Sequence, residues 1–206
     1  MLKTKSLISS LGLFVLLAAS SVASASGYDK NITNNECVNN TGGMSFDAEF
    51  GEGAGELTRC IKKRTKVKVV YQINEFCRDS VSNNDCAINR PYALKNISNA
   101  IKDYEINYGM KQGRDYEIAA VVTSGGGHQL IKQSRNGNQF ESQVKGLMNK
   151  GVKFYFCQNT VRGLTKKGFI TKGNATSDII PGVKFVTSGV AAMPDLVSQG
   201  YILIQP

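Results

Sequence analysis

The chain has 206 residues, 41% of them hydrophobic and 20% charged, which is the balance of a globular core and excludes a disordered or fibrous chain. Its formal net charge of +9 favours acidic partners or membrane surfaces. The basic residues are not interleaved with aromatics, however, which argues against nucleic acid as a partner.

Lys3 and Lys5 precede an apolar run from Leu7 to Ala19, and Ala23-Ser24-Ala25 follows as a run of small residues. These are the three parts of a secretory signal peptide. The apolar run is about 13 residues, short of the ~20 that a membrane-spanning helix needs. Cleavage after Ala25 is therefore expected, with no membrane span. The product is expected to be free in the bacterial periplasm or outside the cell, its charge lowered from +9 to +7 by the loss of Lys3 and Lys5. Residues 26–65 are rich in Asn and Gly and lack apolar periodicity, as in an extension without a core of its own. All five cysteines lie beyond residue 25. In an oxidising compartment most should pair, and an odd number leaves one over. Neighbours in sequence suggest Cys37–Cys60 and Cys77–Cys86, with Cys157 free; other pairings remain open.

Residues 66–206 read as the folded domain. Val67 to Ile73 is β-branched and apolar, a first strand, and a polar loop with Cys77 and Cys86 follows it. Pro91 to Tyr108 carries Ala93, Leu94, Ile97, Ile101, Tyr104 and Tyr108 at helical spacing, with Gly109 as the stop. Tyr116 to Val122 is a second strand, apolar enough to be covered on both faces. Phe140, Val144, Leu147 and Met148 mark a helix, and Val152 to Phe156 a third strand. A short helix is expected after Cys157, then a loop from Gly163 to Asn174. Val183 to Val186, Val190 to Val197 and Tyr201 to Ile204 complete the chain as strand, helix and strand. This order predicts an α/β fold of three layers, α/β/α, around a mostly parallel five-stranded sheet.

In such sheets ligands collect outside the carboxyl ends of the strands. That edge receives the loop after strand one, the run Gly125-Gly126-Gly127-His128, Cys157, and Thr187-Ser188-Gly189. Cys157 is the candidate nucleophile, with Asn159 or Thr160 as a helix cap behind it and Arg162 as a nearby cation, both of which would favour the thiolate. Its alternative role is that of an inert buried cysteine. His128, the only histidine, is a candidate base or donor. The glycine run is a candidate anion site through its backbone N–H groups, with Ser188 facing the same edge. It lacks the spacing of a phosphate-binding loop or a dinucleotide fingerprint. No zinc-finger or haem-attachment spacing is present, so neither a metal nor a cofactor is expected.

Several stretches taken in order carry a family resemblance. They are Lys68-Val69-Val70-Tyr71-Gln72-Ile73-Asn74, Val144 through Phe154, Cys157-Gln158-Asn159-Thr160, Ile180-Pro181-Gly182-Val183, Ser188-Gly189-Val190-Ala191, and the ending Gly200 to Pro206. From Lys66 onward the chain resembles the DsrE/DsrF-like sulfur-relay proteins, in particular a small secreted branch. The resemblance implies a three-layer α/β fold, frequent homo-oligomers, and a sulfur-donor or acceptor protein as partner. It also implies that Cys157, after the third strand, accepts sulfane sulfur as a persulfide. The four further cysteines, the Asn-rich arm and the loop after Gly163 depart from the family's common pattern. The alternative is a non-catalytic module of the same fold that binds a small anion or a protein, with Cys157 structural. Thiol–disulfide exchange with Cys77 and Cys86 is a third reading, weakened by the lack of a Cys-x-x-Cys motif.

Overall fold

Five β-branched and aromatic runs set the frame. They are β1 (Val67–Ile73), β2 (Tyr116–Val122), β3 (Lys153–Cys157), β4 (Lys184–Val186) and β5 (Ile202–Ile204). In the computed structural model they form one sheet in the order β4-β3-β2-β1-β5, and every pairing is parallel. The structure describes Thr58 and residues 60–64, 66–76 and 92–206. The expected signal peptide, nearly all of the extension, and Cys37, Cys77 and Cys86 lie outside the described residues, as do the pairings expected for them. Cys60 is buried.

The helices are α1 (Ile61–Arg64), α2 (Tyr92–Lys102), α3 (Gln133–Asn136), α4 (Glu141–Asn149), α5 (Gln158–Lys166), α6 (Ala175–Asp178) and α7 (Gly189–Ser198). Strand side chains alternate between faces. Val67, Val69, Tyr71 and Ile73 of β1, with Ile118, Ala120 and Val122 of β2, pack into one large core with Leu94, Ile97, Val144, Val161 and Leu164. The intervening Val70, Ala119 and Val121 join Leu196 and Tyr201 in a second, smaller cluster. Thus α2, α4 and α5 cover one face, and α7 covers the other.

The topology follows from crossover handedness. Chain progression from β1 through β4 runs one way along the sheet, so right-handed crossovers put α2, α4 and α5 on one face. After β4 the chain reverses and lays β5 beside β1, which sends α7 over the opposite face. β3 and β4 are adjacent and pair Cys157 with Val186, yet the helices that follow them leave in opposite directions. Such a divergence opens a crevice at the carboxyl edge of an open sheet.

The structure differs from the expected elements in a few places. The helix after Pro91 does not run evenly to Tyr108. It gives way at Lys102 to a π-helical turn, Asp103–Asn107, in which the Tyr108 N–H reaches back five residues to the Asp103 carbonyl. The wider turn brings the Tyr104 ring to 5.1 Å from that of Tyr116, whose hydroxyl donates to Glu105. Gly109, at φ 56, ends the segment as expected. Residues 163–166 belong to α5 rather than to a loop, and α6 follows directly on the expected loop, in a stretch that carried no expected element.

Candidate functional site

Cys157 closes β3 and is also the N-cap of α5, with extended backbone (φ −66°, ψ 120°) and no side-chain cap bond. The sequence favoured Asn159 or Thr160 as the cap; instead both lie in the first turn of α5, because the strand passes into the helix without an intervening loop. Among the described residues Cys157 is the free cysteine, and it is 5% exposed.

An open cavity of about 570 Å³ lies at this crevice. Gln72 near the end of β1 and Asn74 after it, Thr123 and Ser124 after β2, and Ser188, Gly189, Val190 and Met193 of the α7 end line it together with Cys157. Asn159, Thr160, Gly163, Leu164 and Lys167 contribute from α5 and its end. Among the described residues its lining contains no carboxylate, and Lys167 is the charged side chain there.

The donors around the sulfur come from two helices. Burial pulls the Cys157 thiol up. Against this act the backbone N–H of Thr160, the backbone N–H of Gly189, the Thr160 hydroxyl and the backbone N–H of Asn159, which together leave the thiol below its ordinary value. Three of these groups belong to the first turn of α5 and the fourth to the first residue of α7, and they act on the sulfur without closing a side-chain cap bond. Unspent N–H groups at helix N-termini carry partial positive charge and stabilise an anion. The Thr160 oxygen also accepts the Ser124 N–H at 2.9 Å, which fixes its rotamer. Ser124 holds φ 47°, the one left-handed non-glycine residue among those described. Left-handed backbone in a residue other than glycine stores strain and often marks a functional site.

The other expected site residues divide. Cys157, Asn159, Thr160 and Ser188 are brought together around the cavity. Ser188 caps α7, its Oγ accepting from Ala191 N–H at 3.2 Å. His128 does not line the cavity. It packs edge-on between Phe169 at 4.5 Å and Phe76 at 5.9 Å, and burial together with Lys167 lowers its basicity. Arg162 bonds Asn159 Oδ1 at 2.8 Å rather than the sulfur. The glycine run forms part of a 3-10 helix, Ser124–Leu130, and Gly125, Gly126 and Gly127 do not line the cavity. Gly126 donates its N–H to Asn74 O, and a Cβ there would stand 2.5 Å from Ile73 O. A Cβ on Gly127 would meet Thr160, Leu164 and Phe156 at 2.8–2.9 Å. Gly126 and Gly127 are therefore glycines because the backbone packs tightly, and Gly125 is exposed. The sequence placed Gly189 at this edge with Thr187 and Ser188 but gave it no role, and it did not mark Gln72, Asn74, Thr123 or Met193 as lining residues. The signal for Gly189 was a glycine placed directly after a Ser cap. Among the described residues there is no group of three or more His, Cys, Asp or Glu side chains that could hold a metal ion, and no helix is long and apolar enough to cross a membrane.

A five-stranded parallel sheet with helices on both faces places the chain among the α/β proteins, with Cys157 at the carboxyl edge where two helices diverge. Residues 84–206 match the DsrE/DsrF-like family, and the chain belongs to that family. Among solved structures it is similar to a protein of unknown function from Methanobacterium thermoautotrophicum, with 24% identity and a TM-score of 0.47. The match covers 68% of this chain and 99% of that one. No curated protein matches the chain.

Proposed function

We propose that this chain is exported to the periplasm or beyond, takes up sulfane sulfur on Cys157 as a persulfide, and passes it to a partner protein. The observation that carries the reading is the sulfur's setting. A single thiol, held toward its thiolate form by donors from two helices, opens on a cavity within a DsrE/DsrF-like fold. The thiolate is the nucleophilic form. With thiosulfate as donor, the Cys157 thiolate attacks the outer sulfur and a new S–S bond forms. The bond between that sulfur and the sulfonate breaks, and sulfite leaves with the electron pair. Charge balances at minus three on each side, and no outside oxidant is needed. The negative persulfide then stands one bond further out, in a cavity that Lys167 also lines. Export rests on the charged, apolar and small-residue runs of residues 1–25.

Intact-mass measurement after incubation with thiosulfate or polysulfide tests this. The protein should gain about 32 Da, one sulfur atom, removable by a reductant, and Cys157→Ser should abolish the gain. An unchanged mass, or a gain that survives Cys157→Ser, rules the reading out.

A further inference from the structure

We propose that Gly189 is a positioning residue of this site: lacking a side chain, it lets the N-terminus of α7 reach across from the opposite face of the sheet and complete the donors around the Cys157 sulfur. The proposal rests on Cys157 as the working thiol, and it concerns how that thiol is held rather than what it carries.

Backbone conformation does not require a glycine here, since Gly189 is not among the glycines with positive φ. Space does. A Cβ built on Gly189 would fall well inside 3.0 Å of Thr123 Cγ2, a separation real Cβ atoms essentially never show, and 3.5 Å from Val121 Cγ1. Thr123 cannot easily yield. It is β-branched and so stiff at χ1, and its N–H is fixed to Ile73 O at 2.8 Å where β2 passes into the 3-10 helix. The side that gives way is therefore the start of α7, which lies over the sheet's thinner face with few buried residues, Gly189 and Leu196. Ser188 Oγ serves the Ala191 N–H, which leaves the Gly189 N–H to be spent on the sulfur. A methyl group at position 189 would push that N–H off Cys157 while leaving the three donors of α5 in place.

The test reads the pH profile of Cys157 alkylation by iodoacetamide, with Cys157→Ser subtracted as background. Gly189→Ala should move the midpoint up by about one pH unit, the loss of one hydrogen bond to a charged group, and slow the reaction at neutral pH up to about tenfold. Gly189→Ala/Thr123→Ser removes the methyl that the new Cβ would strike and should return the midpoint close to that of the wild type. A wild-type midpoint in Gly189→Ala, or a double variant shifted as far as the single, overturns the proposal. Should Gly189→Ala fail to fold, the double variant decides alone: a wild-type midpoint supports the proposal and a raised one refutes it. Sulfur loading is measured separately, on wild-type protein well above the midpoint. Failure there removes the sulfur-acceptor reading and leaves the alkylation result standing.

Discussion

At the scale of single residues, Thr160 ties three elements to one sulfur. Its N–H and hydroxyl both face the Cys157 sulfur and draw the thiol toward its thiolate form, and its oxygen takes the Ser124 N–H at 2.9 Å. Thr160→Val keeps the shape and the N–H but deletes the hydroxyl, so the alkylation midpoint of Cys157 should rise by roughly half to one pH unit. Thr160→Ser keeps the hydroxyl and should stay close to wild type. Equal shifts in both variants would show that packing, not the hydroxyl, sets the thiol. The sequence pointed to Cys157 and Thr160 as neighbours because a polar run follows an apolar strand at once. It did not reveal which donors reach the sulfur. Gly189 lies 32 positions further along the chain and meets Cys157 only because β4 pairs beside β3. His128 misled for the complementary reason. Its place after β2 was right for the edge, but Phe76 and Phe169 give its ring an aromatic slot away from the cavity.

At the scale of elements, long runs with one clear period could be read and short junctions could not. β1 and β2, seven residues each and covered on both faces, have the expected bounds. β4 and β5 are edge strands of three residues, shorter than the apolar runs that announced them, because each has a partner on one side only. The π turn at Asp103–Asn107 left no periodic signature, since it inserts one residue into a helix whose apolar spacing stays plausible on either side. The glycine run was visible as glycine, but its reason was tertiary. Gly126→Ala forces a Cβ to 2.5 Å from a backbone carbonyl that holds the end of β1, so it should cost about 3 kcal/mol, near the upper range for overpacking. Gly125→Ala, whose Cβ would sit 3.4 Å from Asn74 O, should cost less than about 1 kcal/mol. Urea unfolding of the two variants checks this; similar losses in both would mean that the run is glycine for backbone freedom rather than for close packing.

At the scale of the whole molecule, the two edges of the sheet divide the work. The carboxyl edge holds the thiol, and the amino edge is pinned by one carboxylate. Glu117, at the start of β2, meets Lys66 at 2.6 Å just before β1, Lys153 at 3.2 Å at the start of β3, and the Tyr201 hydroxyl at 2.8 Å just before β5. The charge count of the chain gave no hint of this, because the parallel register alone brings the entry points of four strands side by side. The hydrogen bond from Lys66, against the opposing effect of burial, together with those from Tyr201 and Lys153, holds the Glu117 carboxyl down to about 2 from an ordinary 4.5. The unfolded chain therefore takes up a proton at Glu117 before the folded one does. The stability this group contributes is full above pH 4.5 and drains away as the pH falls toward 2. Both lysines are 39–45% exposed, so Glu117→Gln should cost only on the order of 1 kcal/mol at neutral pH. Its clearer mark is on the slope: melting temperature should fall less steeply with acid in the variant than in the wild type, the two curves converging between pH 4.5 and 2. Parallel curves through that window would place the acid sensitivity in other carboxylates, such as Asp115, Glu141 and Asp178, each of which is also held below its ordinary range. Because Glu117 and Cys157 sit at opposite ends of the strands, the same variant should leave the alkylation midpoint of the thiol where it is. A fold stapled at one edge can then carry its reactive sulfur at the other without either constraint weakening the other.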